Sequence, residues 1–157
     1  MDLRDLLSLD AVIPALKVED KKQALQALAE IAAKVSGLKP RDVYMALWHR
    51  EQLGSTGVGR GIAIPHGRMA EVKRVTCAFA RLEAPVAFDS LDGEPVDLIF
   101  LLLAPEDAGA DHLKALARIS RLMREPKAAE KLRASRDRAA LYAVLTQPAL
   151  ADLPKAG

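Results

Sequence analysis

The chain holds three histidines, and His66 is the one whose neighbours equip it for chemistry. It closes the run Gly61-Ile62-Ala63-Ile64-Pro65-His66-Gly67, in which a short apolar strand is stopped by a proline and followed at once by a glycine. The ring is thereby rigid behind and open ahead. A neutral imidazole is a nucleophile that can take a phosphoryl group as a covalent phosphohistidine, provided that positive charge and hydrogen-bond donors meet the phosphate oxygens. Taken alone, a histidine here also fits a strand end satisfied by its neighbours, so its companions decide.

The first companion is Arg50. Positions 43, 47 and 50 are spaced by four and three, so a helical wheel puts the arginine on the face that carries Val43 and Leu47. An inward guanidinium needs an anionic partner. It can instead lie over the core edge with its head in water, or pair with Glu51 beside it. His49 turns to the polar side and is read as solvent-exposed. The second companion is His112, at the start of a helix that buries Leu113, Leu116, Ile119 and Met123 in part. The positive end of a helix keeps an imidazole neutral and favours an anion, so His112 can donate one N–H to a phosphate. Asp111 offers it a local partner as the alternative. Ser55, Thr56 and Gly57 offer hydroxyl and backbone N–H donors for phosphate, or they form only a turn.

These residues need elements to position them. From Val18 to Val35 the apolar residues Ala24, Leu25, Leu28, Ile31, Ala32 and Val35 recur at helical steps, and Gly37 ends the helix. Pro40 suits the first turn of a second helix reaching about Leu53. Five of the nine glycines then fall between Gly54 and Gly67, a backbone able to enter positive φ and to approach a ligand closely. Val72 to Leu82 alternates as a strand, with Val75, Cys77 and Phe79 on one face, and Val96 to Ala104 is an apolar run suited to a strand buried on both sides. Asp92-Gly93 reads as a turn between them. Helices follow at about Ala110 to Arg124, Lys127 to Ala134 and Arg138 to Leu145, and the tail from Pro148 is expected to be frayed. Strands in the middle with helices before and after argue a three-layer α/β sandwich, in one domain over residues 1–147.

Composition removes several classes of function. Half of the 157 residues are hydrophobic and 28% are charged, which suits a packed core and not a disordered chain. The longest apolar run, Leu98 to Ala104, falls far short of the roughly 18 residues a membrane span demands, and the start MDLRDLLSLD lacks a signal-peptide pattern, so the chain is expected to be cytoplasmic. A lone cysteine, Cys77, makes neither an internal disulfide nor a thiolate metal site. A net charge of +2 gives no case for nucleic acid. The charge is uneven, however: between Leu113 and Arg138 nine Lys/Arg residues face three acids, as on a solvated helical face or, less simply, a docking surface for an acidic partner.

The segment Leu53-Gly54-Ser55-Thr56-Gly57-Val58-Gly59-Arg60-Gly61-Ile62-Ala63-Ile64-Pro65-His66-Gly67 closely resembles the active-site segment of enzyme IIA proteins of the phosphotransferase system, of the fructose/mannitol and nitrogen-related type. The resemblance extends to R-E-x-L-G-S-T-G at Arg50 to Gly57, P-V-A-F-D at Pro85 to Asp89 and the apolar stretch Pro95 to Pro105, nearly the whole chain. It implies a central mixed sheet of about five strands flanked by helices. It also implies that His66 accepts the phosphoryl group, that Arg50 lies beside it and that His112 helps to hold the phosphate. The implied donor is a small histidine-phosphocarrier protein, with regulated transporter or kinase proteins as further partners and no metal, nucleotide or other cofactor. Within the family the reading favoured is nitrogen-related regulatory signalling, because the chain is a lone IIA module. The alternative is a sugar-specific IIA that passes the phosphoryl group to a IIB component. A zinc-dependent hydrolase on His66, His112 and Asp111 is the weakest reading, since no H-x-x-x-H or H-x-H pair is present.

Overall fold

A computed structural model describes residues 2–147, and the tail expected to fray, 148–157, lies outside them. After two short 3-10 turns at Leu3–Asp5 and Leu9–Ala11, strand β1 spans Val12–Leu16. Asp20 opens α1, Lys21–Ser36, by accepting the Gln23 N–H, and Gly37 closes it in the left-handed conformation at φ 74°. Its buried stripe is Ala24, Leu25, Leu28, Ala29, Ala32 and Ala33, while Val35 stays 38% exposed. The stripe thus turns from Val35 toward Ala29 and Ala33, on a helix that packs against α2 and β5. Helix α2, Pro40–Gln52, starts at its proline as anticipated.

The rest of the chain forms β2 (Gly57–Gly59), β3 (Ile62–Ala63), β4 (His66–Met69), β5 (Thr76–Val86), β6 (Val96–Pro105), α3 (Gly109–Arg124), α4 (Pro126–Ala134) and α5 (Arg138–Leu145). The sheet runs β1-β5-β6-β3-β2, with β4 also pairing with β6, and it is mixed: β1 is parallel to β5, β5 antiparallel to β6, and β3 and β4 parallel to β6. The described residues therefore form the expected α/β sandwich around a mixed sheet, of six strands where about five were anticipated.

The extra strand arises at Pro65. Ile62 opposes Leu98 and His66 opposes Leu102, so β3 and β4 keep one register along β6. Proline cannot donate, yet its carbonyl accepts the Leu102 N–H at 2.9 Å, and the line continues through it. His66 therefore begins a strand instead of ending one.

Every residue of β6 from Leu98 to Ala104 is buried, as are Cys77 to Ala80 of β5, because both faces of the sheet are covered. Phe79 and Phe100 oppose each other in register and pack edge to face with ring centres 6.1 Å apart. Helix α1 sits on β5, α2 on β4, α3 on β6 and α5 on β1.

The basic stretch is only partly a solvated face. Arg118 is buried, with Nη2 donating to the Gln147 carbonyl at 2.7 Å. Arg133 makes a two-pronged pair with Asp97 and also donates to the Arg60 carbonyl, and Arg138 donates to the Val12 carbonyl on the sheet edge. Arg133 and Arg138 thus tie α4 and α5 to the sheet, and Arg118 ties α3 to the chain just after α5.

Candidate functional site

His66 stands half-buried at the head of β4, and its Nδ1 lies 2.9 Å from the Ile64 carbonyl oxygen. A carbonyl only accepts, so Nδ1 carries the proton and Nε2 keeps the free lone pair. The ring faces His112, whose centre is 5.8 Å away at an angle of 58°. His112 projects from the first turn of α3 and is 5% exposed, with a buried Nδ1 that has no hydrogen-bond partner among the described residues.

The buried face of α3 keeps the expected Ile119 and Met123 but not Leu113. His112, Ala115, Arg118, Ile119, Leu122 and Met123 are buried, and Leu113 is 62% exposed. The helix is turned so that its histidine joins the sheet side and Leu113 points to solvent.

Arg50 comes from the last turn of α2, beside the buried Val43 and Leu47. Its Nη1 donates to the Gly54 carbonyl at 2.9 Å. Glu51 does not pair with it. The Glu51 carboxylate is buried and accepts from Lys21 Nζ at 2.8 Å, the Thr56 N–H at 2.9 Å and the Thr56 hydroxyl at 2.6 Å. The guanidinium is left with its charge facing the site.

His66, His112 and Arg50 line one cleft of about 620 Å³ together with Met45, Ala46, His49, Leu53, Gly67 and Arg68. All three histidines of the chain reach it, His49 from an exposed position, along with two arginines and, among the described residues, no carboxylate. A half-open cleft with that lining suits an anion.

Ser55, Thr56 and Gly57 are not among the lining residues. The Ser55 hydroxyl donates to the Phe88 carbonyl, the Thr56 donors are taken by Glu51, and the Gly57 N–H donates to Ser55 Oγ at 3.0 Å. A side chain at Gly57 would run into Ser90 Oγ, 2.1 Å from where its Cβ would sit, so only glycine lets the two loops meet. In this conformation the three residues brace the loop behind Arg50.

The chain matches, over residues 5–147, the family profile described as phosphoenolpyruvate-dependent sugar phosphotransferase system, EIIA 2. It belongs to that family. A nitrogen regulatory protein of Bradyrhizobium diazoefficiens is 57% identical over 94% of this chain and 97% of its own length. The fructose-specific EIIABC component of Bacillus subtilis is 32% identical over 94% of this chain, which spans 23% of that longer protein. Among solved structures, the nitrogen regulatory protein IIA-Ntr of Neisseria meningitidis superposes with a TM-score of 0.87 at 39% identity, covering 92% of this chain and 99% of its own.

In this EIIA the cleft makes both imidazoles harder to protonate than a free histidine. Burial lowers the His66 pKa, the Ile64 carbonyl and the Glu51 charge oppose that shift, and the charges of Arg50 and Arg68 push it down. Burial also lowers His112, helped by Arg68 and by His66 itself. NMR titration should therefore place both midpoints below the ordinary histidine value of about 6.5, and a midpoint at or above it for either ring would contradict the electrostatics. Both rings bind a proton more weakly folded than unfolded. The stability they contribute is complete above about pH 6.5 and is lost as pH falls through the lowered folded values.

Arg68 escaped the sequence reading because the strand was taken to stop at Pro65. Once His66 begins β4, the two-residue period of a strand puts Arg68 on the same face, and that was the available signal. No group of three or more His, Cys, Asp or Glu side chains able to hold a metal ion occurs among the described residues, and Asp111 is exposed. No helix among them is long and apolar enough to cross a membrane.

Proposed function

We propose that this EIIA works in the cytoplasm as a phosphocarrier of nitrogen-related signalling, taking a phosphoryl group from a histidine-phosphocarrier protein onto His66 Nε2. The observation that carries the reading is the His66 ring fixed with Nε2 unprotonated in a cleft that arginines and histidines, and no acid among the described residues, line.

The step balances without any other reagent. The Nε2 lone pair attacks phosphorus as the bond from phosphorus to the donor's ring nitrogen breaks, and that electron pair returns to the donor ring. The donor leaves neutral. The His66 ring becomes a cation whose proton stays on Nδ1, where the Ile64 carbonyl oxygen stabilises it. Arg50 meets the charge on the transferring group, and His112, which lines the cleft, offers a ring N–H to an oxygen. Ser55, Thr56 and Gly57 serve the phosphate indirectly in this conformation, by holding the loop whose Gly54 carbonyl anchors Arg50.

The regulatory branch is favoured by the 57% identity to a nitrogen regulatory protein against 32% to a fructose-specific component. Incubation with a cognate phosphocarrier should add one acid-labile phosphate, read by intact-mass spectrometry at alkaline pH. Transfer onward to a sugar IIB protein would favour the transport branch. The labelling rate should be the same with a chelator and with added Zn²⁺, and a chelator-sensitive rate would overturn the metal-free mechanism.

A further inference from the structure

The mechanism leaves one charged residue of the cleft without a role. Arg68 follows His66 by two in β4, whose burial alternates so that His66 and Arg68 face outward while Gly67 and Met69 face the core. It lines the same cleft as His66, His112 and Arg50 and enters none of the ion pairs among the described residues.

The two arginines of the cleft differ in their freedom. Arg50 is tethered to the Gly54 carbonyl and comes from α2, the helix against which the Gly67 side of β4 packs. Arg68 comes from the strand that carries His66, on the same face as His66 and opposite to Gly67, and is exposed. Its charge is felt by both the His66 and the His112 rings, so it stands within electrostatic reach of the reacting nitrogen and of the orphaned imidazole.

We propose that Arg68 is a second catalytic guanidinium: it closes on the phosphoryl oxygens from the His112 side while Arg50 holds them from the α2 side. The inference rests on His66 being the phosphoryl acceptor. A planar fork on each side fits three equatorial oxygens that carry the charge as the group passes between nitrogens. An exposed side chain can swing onto the group when it arrives and off it when it leaves.

The test is the rate of carrier-dependent phosphorylation of wild type, Arg68→Gln and Arg68→Lys across carrier concentrations, with thermal unfolding of each protein. Arg68→Gln should lower the rate at saturating carrier by roughly tenfold or more, and Arg68→Lys should recover part of it by restoring charge without the fork. Unfolding midpoints should agree. An unchanged saturating rate with a raised KM would overturn the proposal and leave Arg68 a docking charge. A loss shared by Arg68→Lys together with a lowered unfolding midpoint would also overturn it, as a folding effect. A wild-type chain labelled elsewhere than His66, or not at all, would bring down the acceptor reading and this inference with it. Labelling on His66 at equal saturating rates in all three proteins would bring down this inference alone.

Discussion

His66→Ala should abolish carrier-dependent phosphorylation while leaving the fold in place. The substitution removes the one imidazole in the cleft whose lone pair faces outward on a strand with its other nitrogen already satisfied. His112 cannot substitute, since it is 5% exposed and its unpaired nitrogen is buried. The structural cost is small. His66 is half-buried, and its one hydrogen bond among the described residues is to the Ile64 carbonyl, so stability should fall by about 1 kcal/mol. Intact mass at alkaline pH alongside circular dichroism checks both halves, and continued labelling of the folded variant would remove His66 from its role.

Arg50→Ala should slow phosphorylation at least as much as His112→Ala, each by about a hundredfold, the usual effect of losing one donor to a developing charge. Arg50 supplies a full charge and a fork, and its bond to the Gly54 carbonyl also holds the loop braced by Glu51 and Thr56. His112 supplies a single neutral donor. Because His112 is buried, truncation also opens space beside His66, so His112→Gln belongs in the comparison to separate hydrogen bonding from packing. If His112→Ala accepts phosphate at the wild-type rate with an unchanged phosphohistidine lifetime, that histidine only packs. If His112→Ala proves the slower variant, hydrogen-bond geometry outweighs charge neutralisation.

His66 stood out in the local sequence, because a proline and a glycine flank its ring, although that alone also fitted a satisfied strand end and the companions Arg50 and His112 decided the reading. Arg50 was legible in direction, since the four-and-three spacing from Val43 and Leu47 is a property of any helix. Its partner was not legible: Glu51, adjacent in sequence, turns to Lys21, a contact that exists only after α1 packs on α2.

The α3 face was misread at Leu113 because its apolar residues allow two stripes one position apart, and only the sheet beneath selects the stripe with His112 inward. Strand β1 went unseen because Pro14 interrupts it, although an edge strand tolerates a proline. Strand β2 was hidden in the glycine-rich stretch, where close approach to Ser90 and Asp92 sets the glycine content rather than strand propensity. Strand β5 begins at Thr76 and runs to Val86, later than the alternation from Val72 suggested, because Val72 and Val75 are buried in the connection that precedes it. In each case a local signal was present and a long-range contact overrode it.

The account turns on where the phosphoryl group sits, and nitrogen-15 NMR of the phosphorylated chain, with histidine rings labelled, reads that position directly. Phosphorus coupling to Nε2 of His66, with Nδ1 still protonated, is the result the geometry predicts. Coupling to Nδ1 of His66, or to either nitrogen of His112, would contradict it.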